Sequence, residues 1–125
     1  MRPRVDLTVL PILLGAAIAT GCVMTPDVEG LSSSQRARFD SMEVSRGPTT
    51  RSHTNLVPVA GLSCRRFAHQ QLSEAEAIEG VRVRAASLDA DAVVNLACQV
   101  SFNGGWANDC GLSIVCVGDP VRYKR

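Results

Sequence analysis

The residues most able to do chemistry in this chain are its five cysteines. Cys22 stands apart from the rest, directly behind the small residues Ala19-Thr20-Gly21. Before them come Arg2 and Arg4 and then an apolar run from Leu7 to Ala19. A basic start, a short apolar stretch and small residues before a cut site form an export signal. A cysteine immediately after that site is the acceptor of a lipid anchor. Residues 1–21 are therefore expected to be a lipoprotein signal peptide, with Cys22 the lipidated first residue of the mature chain, carrying diacylglycerol and palmitate. The usual motif has Leu where this chain has Ala19. A membrane-spanning helix is disfavoured, because a span needs about 20 apolar residues and Pro11 interrupts this run.

Cys64, Cys98, Cys110 and Cys116 remain, an even number in an exported chain. Outside the cytoplasm such cysteines pair as disulfides. A zinc site is the rival chemistry. It needs close ligand pairs such as C-x2-C with matched histidines. The chain has none, and His53 and His69 lie far apart. No cofactor is expected.

Charge narrows the class further. The whole chain has thirteen basic and twelve acidic side chains. Arg2, Arg4 and Asp6 leave with the signal peptide, so the mature chain is balanced. A nucleic-acid-binding domain shows a basic excess, so no nucleic-acid partner is expected.

Two regions are expected after cleavage. Residues 22–55 read as the lipidated cysteine and a flexible linker, rich in Ser, Thr, Pro and Arg with scattered apolar residues. Phe39 and Met42 share a face if a short helix forms near Gln35 to Val44, but two residues make a poor face. Fully extended, the linker reaches roughly 110 Å. Residues 56–125 read as a small α+β head. Its expected architecture is a mixed sheet of three to four strands with one packed helix, stapled by two disulfides.

Within the head, Leu56 to Cys64 reads as a strand, with Pro58 marking an edge or a start. Ser73 opens a helix, and Glu76 is placed to complete a capping box. Ile78, Val81, Ala85 and Leu88 recur at helical spacing as its buried stripe. A second strand covers Ala92 to Phe102, with Val94, Leu96, Cys98, Val100 and Phe102 on one face. Asn103-Gly104-Gly105 breaks it, and the following loop holds Trp106, a packing residue or an interface anchor. A third strand covers Leu112 to Val117. Gly118-Asp119-Pro120 ends it, and Val121 to Tyr123 form a last short strand. A hairpin centred on Ala107 sets Phe102 against Leu112, Val100 against Ile114 and Cys98 against Cys116. Every pair on that face is apolar or cysteine, as a shared core side requires. Cys64 is then left to pair with Cys110.

Gly61-Leu62-Ser63-Cys64, the Ala-rich helix, Ala90-Asp91-Ala92-Val93-Val94 and Val115-Cys116-Val117-Gly118 carry a likeness. With the lipidated cysteine and the four-cysteine head, they resemble the RcsF-like outer-membrane stress-sensor lipoproteins of enteric bacteria. The resemblance implies the pairing Cys64–Cys110 and Cys98–Cys116. It also implies a protein anchored in the outer membrane by lipid, with its head in the periplasm. Implied partners are the barrel-assembly machinery, outer-membrane barrel proteins and an inner-membrane inhibitor of an Rcs-type phosphorelay. The implied action is sensing envelope damage and relaying it by partner exchange. This chain departs from the family in its tail, which is less proline-rich and less basic.

An enzyme is the competing class. Gly61-Leu62-Ser63-Cys64 lacks the second glycine of a nucleophile elbow. His69 stands beside Arg65 and Arg66 with no catalytic companion. A structural or ligand-binding periplasmic lipoprotein without a signalling role is the remaining alternative.

Overall fold

The computed structural model describes residues 28–65, 71–102 and 110–125. The elements run in order as a 3-10 turn at Val28–Gly30, α1 (Ser33–Ser41), β1 (Glu43–Val44), β2 (His53–Asn55), β3 (Val59–Arg65), α2 (Glu74–Ser87), β4 (Ala92–Phe102) and β5 (Leu112–Tyr123). β5 is the axis of a mixed five-stranded sheet. β4 pairs with it antiparallel on one side, and β3 and β2 do so on the other. β1 adds to the far edge of β4 in parallel. The class is α+β with two disulfides, as the sequence led us to expect.

The hairpin register follows the apolar pattern over most of its length. Phe102 faces Leu112, Val100 faces Ile114, Cys98 faces Cys116 and Ala97 faces Val117. Between Val94 and Ala97 the ladder slips by one residue, so that Val94 faces Asp119 and Ala92 faces Val121. Asn95 adopts a left-handed backbone with φ 54 at this bulge, a conformation that asparagine tolerates better than most residues. A one-residue slip exchanges faces. Val94 therefore packs with Ala92 and Val121, while Leu96 and Cys98 face the helix. The single apolar face expected for β4 is split in two at the bulge.

β5 also continues where a break is expected. Gly118-Asp119-Pro120 stays extended, and the Pro120 carbonyl accepts the Leu56 N–H at 2.9 Å. Proline lacks an N–H and fits a strand only where the ladder is already interrupted. Here its nitrogen faces the side of Leu56, in the gap where the β3 pairing has ended at Gly118 and the β2 pairing begins at Val121.

α2 covers one face of the sheet. Ala77, Val81, Ala85 and Ala86 are buried against Val93, Leu96 and Cys116. Ile78 is half-buried and Leu88 is exposed, so the buried stripe lies on smaller residues than its spacing suggests. The reason is the close approach of helix to strand. A Cβ on Gly61 would stand 1.8 Å from the Ala77 carbonyl oxygen and 2.7 Å from the Val81 nitrogen. Alanine and glycine permit this contact, and larger residues do not. The helix start is capped by Ser73, whose Oγ accepts the Glu76 N–H at 3.2 Å. The fully buried Ser63 joins that cap: its Oγ accepts the Ser73 N–H at 3.0 Å and donates to the Glu76 carboxylate at 3.4 Å.

The flexible linker expected across 22–55 is corrected from Val28 onward. α1 has a capping box, in which the Ser32 hydroxyl accepts the Gln35 N–H and the Gln35 side chain accepts the Ser32 N–H. Met42 is buried in the main core. The chain then lies along β4: Ser45 N–H bonds the Val93 carbonyl, and the Ser45 and Gly47 carbonyls accept from Leu96 and Asn95. β2 pairs with the end of β5. Main-chain bonding to a sheet edge needs no apolar side chains, so polar composition did not reveal it. The sheet thus has five strands, and a second helix lies against α2.

Gly61→Ala is expected to lower stability by about 2–3 kcal/mol, because α2 must shift away from β3. Gly30→Ala, with nothing within 4 Å of its Cβ, is the control and should change stability by no more than about 0.5 kcal/mol. Urea unfolding of both variants measures this. An unchanged midpoint for Gly61→Ala would contradict the close packing.

Candidate functional site

The two disulfides organise the upper half of the head. Cys98 and Cys116 stand directly opposite in the β4–β5 ladder, with Cα atoms 4.0 Å apart. Cys116 is fully buried in the core beneath α2. Cys64 lies near the end of β3, and Cys110 is buried just before β5, with their Cα atoms 5.4 Å apart. This second bond ties the two strands where their ladder ends. The sequence separations are 18 and 46 residues, for which chain-entropy estimates give about 3 and about 4 kcal/mol. The two loops overlap, so the values do not simply add. All four head thiols are consumed, and none is free to act as a nucleophile or ligand. Cys22 and the signal peptide lie outside the described residues.

The other residues singled out by sequence have structural positions. Ser63 is engaged by the helix cap and is sealed from solvent. His53 lies in β2 with Nδ1 2.7 Å from the Arg51 carbonyl oxygen. Arg122 reaches the last carbonyls of α2, donating to Leu88 at 2.9 Å and Asp89 at 3.2 Å. Cations favour that end of a helix. His69, Arg66 and Trp106 lie outside the described residues. Among the described residues no three metal-ligating side chains stand together.

A shallow cleft of about 310 Å³ opens beside β2. Val94, Leu56 and Pro48 contribute to its walls, with His53, Asn95 and Asp119. The Asn95 amide donates to the Asp119 carboxylate at 3.2 Å. The bulge therefore has two local duties. It lets the 45–47 segment bond to β4 and turns Asn95 toward β5.

The surface feature that sequence reasoning missed is at the hairpin end. Val100 and Phe102 were expected in the core. They are 51 % and 71 % exposed. Their cross-strand partners Ile114 and Leu112 are half-buried. α2 covers the sheet as far as Cys98 and Ile114 and leaves the apolar face beyond them uncovered. Helix length is the signal that pointed to this, since a 14-residue α2 spans about 21 Å against about 36 Å for an 11-residue strand.

At the opposite end, α1 docks on the C-terminal end of α2 through polar groups and the half-buried Phe39, which packs against the main core. Arg38 pairs with Asp91 at 2.6 Å and donates to the Asp89 carbonyl at 2.9 Å. Gln35 bonds the Ser87 carbonyl at 3.2 Å. The Arg82 guanidinium lies over the Phe39 ring at 4.6 Å and donates to the Phe39 carbonyl at 2.7 Å. No side chain of α1 is buried.

No family model and no curated protein matches the chain. Among solved structures it is similar to a protein of unknown function of the DUF74 family from Pediococcus pentosaceus ATCC 25745. The TM-score is 0.51 at 14 % identity, covering 66 % of this chain and 98 % of that one. That likeness is one of fold.

Peptide mapping without reduction should find Cys64 joined to Cys110 and Cys98 to Cys116. Cys98→Ser should lower stability by about 2–5 kcal/mol and leave Cys116 as a buried thiol. A native Cys64–Cys98 linkage would contradict the strand register.

Proposed function

We propose that this chain is an outer-membrane lipoprotein that senses envelope damage and relays it by changing protein partners. The observation that carries this reading is the joint layout of an export signal ending at Cys22 and a head whose four cysteines form two crossed bonds. That pairing is the one implied by the resemblance to the stress-sensor lipoproteins, and it suits an oxidising compartment.

The fold changes how such a protein operates. With residues from Val28 onward folded onto the head, the interval between Cys22 and Val28 spans at most about 20 Å. The linker estimate of roughly 110 Å therefore does not apply to the folded state. A lipid on Cys22 holds the head close to its own membrane. The barrel-assembly machinery and barrel proteins, which share that membrane, are within reach. An inner-membrane phosphorelay inhibitor meets the head only if its own periplasmic part provides the remaining span.

The test uses a deletion strain with an envelope-stress transcriptional reporter. Deletion should hold the reporter at its uninduced level under stress, and wild-type protein should restore induction. Cys22→Ala should neither restore it nor incorporate labelled palmitate. Full induction in the deletion strain, with altered envelope integrity alone, would favour a structural lipoprotein. A soluble wild-type protein without lipid mass would contradict the anchor.

A further inference from the structure

We infer that the edge of β4 from Cys98 to Phe102, which no strand among the described residues covers, is a docking site for an extended, uncharged segment of a protein partner. The partner would add as a strand. Three features of the edge specify this occupant.

The first is main-chain direction. On this edge the Leu96 N–H already bonds outward, to the Ser45 carbonyl at 3.0 Å. Past the bulge, the 4.0 Å Cα separation of Cys98 and Cys116 marks a pair that does not exchange hydrogen bonds, since those are the closer antiparallel pairs. Strand groups alternate in direction, so Cys98, Val100 and Phe102 turn their N–H and C=O groups away from β5. Among the described residues no strand pairs with β4 beyond this point. An extended backbone is the chemistry that matches such a row of donors and acceptors.

The second feature is composition. Leu96-Ala97-Cys98-Gln99-Val100-Ser101-Phe102 contains no charge and no proline. Edges that must stay unpaired carry Lys, Pro or inward charges. Here the residues with outward main-chain groups also carry the exposed apolar side chains, Val100 and Phe102. An added strand with apolar residues at alternate positions would contact both.

The third feature is continuity. The lower half of the same edge already carries an added segment of this chain, with Glu43 opposite Ala92 and Val44 opposite Val93. That segment ends its bonding at Gly47. The incoming strand occupies the next stretch of the same line.

The choice of a protein over lipid or a second copy rests on the anchoring proposed above. α1, which follows the first described residues Val28–Gly30, docks beside Asp89 and Asp91 at the start of β4. Phe102 lies ten residues further along the strand, a distance of about 33 Å. The edge therefore points away from the anchoring membrane. Antiparallel pairing of two copies about a twofold axis would send their anchored ends in opposite directions. Two heads on one membrane do not meet that way.

The binding test does not depend on the sensor reading. The oxidised full chain in detergent is titrated with a short capped peptide of alternating valine and threonine, and amide exchange is followed by NMR. Peptide should slow exchange at Val100 and Phe102 by about tenfold or more and leave Gln99 and Ser101, bonded to β5, unchanged. Val100→Pro removes an outward N–H and should abolish binding. Val100→Lys should weaken it by about tenfold, equivalent to about 1.4 kcal/mol. Should Val100→Pro fail to form the Cys98–Cys116 bond, Val100→Lys decides alone. Absent protection, or equal affinity for Val100→Lys, overturns the proposal. Protection that grows with protein concentration before peptide is added assigns the edge to a second copy and overturns it as well.

Discussion

The antiparallel pairing of β4 with β5, pinned by Cys98–Cys116, is the constraint on which the rest of the head depends. β5 holds β4, β3 and β2 directly. Its register with β4 decides which side chains meet α2. The disulfide joins the two strands at a pair whose members face the helix, so the bond and the core enforce the same register. Cys64–Cys110 then fixes β3 against the start of β5. A head this small has little apolar area to offer, and such domains need covalent staples. The alanine-rich packing of α2 makes the point sharper. Ala77, Ala85 and Ala86 let the helix approach the sheet closely, but each buries little surface.

Apolar alternation and cysteine placement were enough to read the hairpin, because each is a period-2 signal with few ways to be satisfied. β4 runs over the residues the pattern outlined, and the pairs from Phe102–Leu112 to Cys98–Cys116 follow from it. The bulge at Asn95 was hidden, since an apolar residue stands at every nearby position and the pattern reads well in either register. β5 was read as two strands because Pro120 normally ends a ladder; its missing N–H falls in the gap between the β3 and β2 pairings, which removes that objection. Residues 28–55 were the largest miss. Ser32 and Gln35 stood at capping-box spacing as a signal for α1, but β1 and β2 hold by main-chain bonds that composition does not report. The crossed disulfides are the part of the site that sequence reached. The exposed Val100 and Phe102 depend on where α2 begins relative to the hairpin, which the helix length signals but the strand pattern does not.

Under the lipid anchor proposed above, folding the N-terminal segment onto the head would change what a tethered sensor can reach. A long free tail would let the head sample much of the periplasm. A short one confines it and raises its effective concentration toward partners in the same membrane. The contacts that hold the segment are unequal. Met42 and the bonds of Ser45 and Gly47 to β4 are part of the core and sheet. α1 is held by polar contacts of Arg38, Gln35 and Arg82 and by the half-buried Phe39 against the core, with no fully buried side chain. The 42–47 segment therefore shares in the cooperativity of the sheet.

Native-state amide exchange on the oxidised protein tests this central claim, that residues 28–55 belong to the folded head, most directly. Ser45 N–H bonds the Val93 carbonyl at 2.9 Å and Leu56 N–H bonds the Pro120 carbonyl at 2.9 Å. Both amides should be protected to within about tenfold of the β4–β5 amides, because they open with the sheet. Exchange of Ser45 and Leu56 at free-chain rates, with β4 and β5 still protected, would restore the long flexible tail and contradict the account.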